Sequence, residues 1–139
     1  MKLMKRTRIE RAFRDPSVWT GLSGYPYTGA AVAQHAEAAV ALLERGEDWT
    51  AQELAGSDRP TMCRALALAT KAGDGDTDTQ TIVLRCLGLV LEVHLGTDYA
   101  DPRMWSEHRL TSPSAVVDAL RTTAALTRAH GPIPAITAG

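Results

Sequence analysis

Apolar positions recur along this chain at helical spacing, and one segment is apolar around most of its circumference. In residues 76–95, the polar or glycine positions after Gln80 are Thr81, Arg85, Gly88, Glu92 and His94. The first four lie four, three and four residues apart, which sets them on one narrow stripe of a helix. Such a helix is buried on most sides, and the other segments must pack around it. Thr77 with Gln80 reads as its capping box and Gly96 as its stop. Leu84, Leu87 and Leu91 are its expected core residues.

Val32, Ala36, Ala39, Val40 and Leu43 recur at i, i+4, i+7, i+8 and i+11 and predict a helix over residues 29–45, stopped by Gly46. Thr50-Ala51-Gln52-Glu53 is a capping box that opens a short helix. Asp58 reads as the N-cap of the next helix, with Pro60 in its first turn. That helix turns Met62, Ala65, Leu66 and Ala69 inward and ends at Lys71-Ala72-Gly73. Ser112-Pro113 opens a last helix that presents Val116, Val117, Leu120, Ala124 and Leu126 and ends near His130-Gly131-Pro132.

Between these elements, residues 16–28 read as an irregular connection pinned by Trp19, Leu22, Tyr25 and Tyr27. Residues 97–109 read as a longer ordered connection holding Tyr99, Met104 and Trp105. No segment alternates as a strand. The pattern predicts an all-α, single-domain bundle of about four main helices plus one short helix, with that long connection before the last helix. Residues 1–28 form a basic arm and connection, 29–131 the helical domain, and 132–139 a tail.

Composition narrows the class. Hydrophobic residues make up 45% and charged residues 22% of 139 residues, which excludes a disordered chain and fits one modest core. Aromatics are only 5%, so Leu, Val and Ala must fill that core. The net charge of −1 conceals an asymmetry: residues 1–14 hold six basic groups against Glu10, a net +5, leaving −6 for the remainder. A basic arm on an acidic body reaches phosphates, an acidic partner or its own body. Ile9 and Phe13, one turn apart, are its apolar contact.

Cys63 and Cys86 are too few for a disulfide scaffold and sit among apolar residues, where reduced, buried thiols are expected. The N-terminus lacks the apolar stretch of a signal peptide, and Arg85 interrupts the longest apolar run well short of the ~20 residues that span a bilayer. A cytoplasmic protein with no membrane partner is expected.

Catalytic patterns fail on inspection. Asp74-Gly75-Asp76-Thr77-Asp78 resembles the start of a calcium loop, but its sixth and twelfth positions are Thr79 and Arg85 instead of Gly and Glu. Acidic chemistry at a helix start explains it better. Glu92, His94, Asp98, Asp101, Glu107 and His108 could supply an acid–base pair or metal ligands, yet none has a recognised ligand spacing. There is no glycine-rich phosphate loop and no G-x-S-x-G. No cofactor, metal or catalytic residue is expected.

Two resemblances add to this. Residues 49–66, WTAQELAGSDRPTMCRAL, resemble helix-turn-helix sequences, in which a Thr-x-x-Glu-Leu-Ala helix precedes a second helix bearing Arg-Pro-Thr and Arg-Ala-Leu. The segment TIVLRCLGLVLEVHL is similar to the closing helix of lambda-repressor-like domains. Only Gly56, Ser57 and Asp58 separate Ala55 from Arg59, about one helical turn fewer than such motifs use. Over residues 32–129 the chain also resembles an uncharacterised family of small actinobacterial and actinophage proteins. The residues that carry this are Leu42-Leu43-Glu44-Arg45, Trp49-Thr50, Cys63-Arg64-Ala65-Leu66, Trp105-Ser106-Glu107, Arg109, Thr111, Val116, Val117, Leu120 and Arg121.

The reading that follows is a non-catalytic helical binding or assembly module of actinobacterial or phage type, with a protein partner or its own copies as ligand. The alternative is a helix-turn-helix DNA binder. Lys2, Lys5, Arg6, Arg8, Arg11, Arg59 and Arg64 are the candidate contacts to nucleic acid or an acidic partner. An enzyme with an acidic/His site near residues 92–108 is the third reading.

Overall fold

A computed structural model describes the backbone of residues 2–134 and the side chains of residues 7–134. In chain order the elements are α1 (Lys2–Ala12), a 3-10 turn (Pro16–Trp19), α2 (Gly29–Glu44), α3 (Ala51–Leu54), α4 (Met62–Lys71), α5 (Thr77–Leu95), α6 (Pro102–Glu107) and α7 (Pro113–His130). The described residues contain no strand beyond one isolated bridge between Thr20 and Pro26. The fold is all-α, as the periodicity predicts.

Helix α5 is the central element. Ile82, Val83, Cys86, Leu87, Val90, Leu91 and Val93 are buried, whereas Leu84 is only partly covered. Its polar stripe does not face open water. The Arg85 guanidinium donates from Nη1 to the carbonyls of Ser17, Val18 and Thr20, each at 2.9 Å. It thereby satisfies backbone acceptors that the short 3-10 turn leaves without partners. Gly88 brings α5 against the chain leading into α6, where an added Cβ would lie 3.4 Å from the Ala100 carbonyl.

Helices α2 and α7 pack antiparallel, shown by two ion pairs one heptad apart: Glu37 with Arg128 at 2.5 Å and Glu44 with Arg121 at 2.6 Å. Alanines on α2 allow the close approach, with Ala33, Ala36 and Ala39 all buried. At one end the backbones touch. A Cβ on Gly29 would sit 2.0 Å from the Thr127 carbonyl, and the Gly29 N–H donates to the Pro132 carbonyl at 2.8 Å. Glycine is required there for space, not for conformation.

His35, which the sequence pattern did not mark, joins three helices. Buried on α2, it donates from Nε2 to the Leu66 carbonyl of α4 at 2.9 Å, and its Nδ1 meets the Thr79 hydroxyl of α5 at 2.7 Å. The carbonyl can only accept, so Nε2 carries a proton. No buried side-chain polar atom lacks a partner among the described residues.

Several expectations need correction. The N-cap of α5 is Asp76, not Thr77: its carboxylate accepts from the Thr79 N–H and the Thr79 hydroxyl accepts from the Asp76 N–H, both at 2.8 Å. Thr79 takes the place usually held by Glu or Gln. The N-cap of α4 is Thr61, not Asp58, because Arg59 before Pro60 favours extended backbone and the Thr61 hydroxyl captures the Arg64 N–H. Residues 97–109 contain a helix of their own, α6, opened by Asp101-Pro102 just as Ser112-Pro113 opens α7. Leu22 and Tyr25 pin nothing and are exposed, whereas Trp19 is buried and Tyr27 partly so.

The N-terminal segment is also more than an arm. Ile9 and Phe13 are 3% and 2% exposed and belong to the core with Val18 and Trp19. Phe13 and Trp19 meet edge-to-face at 5.3 Å, and the Trp19 indole N–H donates to the Phe13 carbonyl at 2.7 Å. The boundary drawn at residues 28 and 29 therefore does not separate arm from core. Within the expected tail 132–139, residues 135–139 lie outside the described residues.

Candidate docking pocket

At the end of the bundle opposite Gly29, the C-terminal end of α2, the start of α4, the end of α6 and the start of α7 enclose a pocket of about 190 Å³. Leu43, Pro60, Met62, Pro113, Val116 and Val117 give it apolar walls, and Glu47, Arg59 and Glu107 stand among its lining with exposed side chains. For scale, an engineered apolar cavity of roughly 150 Å³ holds one benzene. The pocket thus matches one ring or one branched alkyl group.

The local sequence explains how this opening arises. Ala55 and Gly56 adopt left-handed backbone, with φ of 51° and 87°, and end α3 after one turn. The chain then bends at Asp58 and Arg59 before Pro60 leads it to the extended Thr61 cap. Across the pocket, α6 stops at Glu107 and a turn at residues 108–111 reverses direction before Ser112 caps α7. Two helix starts and two helix ends therefore meet around one apolar floor.

Of the candidate contacts, Arg59 is exposed and lines this pocket. Arg64 is committed elsewhere: its Nε donates to the Glu53 carbonyl at 2.8 Å and its Nη2 to the Gln52 carbonyl at 3.4 Å, capping α3. Before Lys71 every residue of α4 is buried or only partly exposed. Arg8 and Arg11 are exposed on α1, with Arg14 beyond its end, whereas the side chains of Lys2, Lys5 and Arg6 lie outside the described residues.

The acidic and histidine residues of 92–108 do not converge on a metal-binding arrangement. Among the described residues, no three His, Cys, Asp or Glu side chains are placed to hold a metal ion. Asp101 caps α6, and His108 Nδ1 accepts the Leu110 N–H at 3.1 Å. Asp76 and Asp78 both accept from the Tyr27 hydroxyl at 3.0 Å, and Ser23 donates to Asp78 as well. These bonds hold the Asp78 carboxyl below its ordinary range, chiefly through Ser23. Tyr27 is pushed up by burial and by its two carboxylate partners.

Neither thiol is activated. Burial pushes Cys86 up to about 12 and also raises Cys63, which is partly exposed. A thiol so shifted carries little thiolate at neutral pH. No helix among the described residues is long and apolar enough to cross a membrane. No protein-family model, curated protein or solved structure matches the chain.

Proposed function

We propose that this protein is a non-catalytic binding or assembly module that docks a protein surface at the pocket between α2, α4, α6 and α7. The observation that carries the reading is the company the pocket keeps. Leu95, Tyr99, Met104 and Leu110 are exposed large apolar side chains in the stretch that leads into and out of α6, and that stretch also supplies Ser106, Glu107 and Thr111 to the pocket. Exposed apolar groups on a segment that also lines an apolar cavity with a charged rim fit a protein-docking surface.

The test fills the pocket from Val117, which lines it and packs against the edge of the core, so the variant's melting temperature is checked first. Val117→Phe adds bulk at a partly buried lining position, and the tagged variant is compared with the wild type in capture from a native host extract with and without nuclease. Capture of the same protein by wild type but not by the variant supports the reading. Capture that survives in the variant, or that disappears with nuclease, overturns it.

A second reading rests on α1, where Arg8, Arg11 and Arg14 are exposed while Ile9 and Phe13 are buried. Such a helix face suits a polyanion, and affinity for nucleic acid would fall steeply with salt. A gel-shift series from low to physiological ionic strength tests it, and the absence of a shifted band at low salt removes it.

A further inference from the structure

We propose that the pocket's occupant is a second copy of this chain, which inserts Leu110 in a two-fold symmetric dimer. This rests on the docking reading above and names its partner. Leu110 is 81% exposed, the most exposed of the large apolar side chains described. It sits at the third position of the turn closed by the Thr111 N–H to the His108 carbonyl at 2.9 Å, and its own N–H donates to His108 Nδ1 at 3.1 Å. The turn therefore presents the side chain in a fixed place, which lowers the ordering cost of inserting it. The next residue, Thr111, lines the pocket.

A knob and a hole thus lie side by side on one surface. A two-fold axis between them puts each knob into the other copy's hole and so covers both at once. Size agrees, since an isobutyl group fits a cavity of about 190 Å³. Charge agrees as well. Arg109, exposed beside the knob, would approach the exposed carboxylates of Glu47 and Glu107, which outnumber the one cation of the hole, Arg59; neither Arg109 nor the two carboxylates have an ion-pair partner among the described residues. Such pairs set orientation more than strength.

Sedimentation equilibrium of the full chain from about 10 to 500 μM tests the proposal, a range suited to a dimer in the micromolar class. Concentration-dependent dimerisation is expected. Leu110→Asp should weaken it at least about tenfold while leaving the melting temperature unchanged at concentrations too low for the dimer, because the side chain is exposed in the single chain. Arg109→Glu should weaken it too, and Glu47→Arg added to Arg109→Glu should restore it. A wild type that stays monomeric throughout, a dimer indifferent to Leu110→Asp, or a double variant that does not recover would overturn the two-fold arrangement. The docking reading fails separately: a monomeric protein whose partner capture is lost in Val117→Phe keeps that reading and discards self-association.

Discussion

Leu87 is fully buried in α5. Leu87→Ala should therefore cost about 2–5 kcal/mol, read from chemical denaturation. The thiols give a second test at this scale. Cys63 should be alkylated in the native protein, slowly, while Cys86 reacts only after unfolding, as mass spectrometry would show. Identical labelling rates would contradict the burial of Cys86. Single-residue periodicity made the inward set of α5 legible, apart from Leu84. What it could not show is where a polar residue points. Arg85 reads as solvent-facing, yet it reaches across 65 or more residues of sequence to three carbonyls. His35 carries no local signal at all, since its partners come from α4 and α5.

At the scale of elements, caps decide both the fold and its dependence on pH. Helix α3 is one turn long and hangs on Glu53, which closes the capping box with Thr50 and takes both guanidinium nitrogens of Arg45 at 2.9 Å. The Arg45 hydrogen bonds, followed by the Thr50 N–H, pull its carboxyl from 4.5 to about 2. A carboxyl lowered on folding stabilises the folded state fully above its unfolded value near 4.5. That contribution fades as pH falls through about 2. Amide protection at Glu53 and Leu54, relative to the unfolded chain at the same pH, should fall over that window while α5 stays protected, and a protection unchanged down to pH 2 would remove the clamp from the account. Element existence was legible wherever an apolar stripe was long. The six-residue α6 was missed because it has room for no stripe, although its Asp101-Pro102 start carried the same cap chemistry that revealed α7. The pocket was illegible for a related reason: its walls come from four elements, and only Arg59 among its lining had been a candidate contact.

For the whole molecule, the open question is whether the basic N-terminus is an appendage or a wall of the bundle. Charge alone favours an appendage, since +5 on a body of −6 gains little by folding onto exposed acids. Packing reverses that conclusion. Ile9 and Phe13 are buried against the Val18–Trp19 turn, and Glu10 approaches His130 at the end of α7 with 3.5 Å between Oε1 and Nε2. Burying each of the two apolar side chains is worth about 1.5–3 kcal/mol, set against a total of about 5–15 kcal/mol for a domain of this kind. Deleting residues 1–14 should therefore remove a large share of the stability and uncover Trp19. Its fluorescence would shift to the red, and the truncated chain would melt well below the full one. Arg8→Glu with Arg11→Glu separates the two roles, because both side chains are exposed and their reversal should leave the melting temperature nearly unchanged while abolishing any affinity for polyanions. If the truncated chain melted as the full one does, Ile9 and Phe13 would be resting on the bundle rather than completing it.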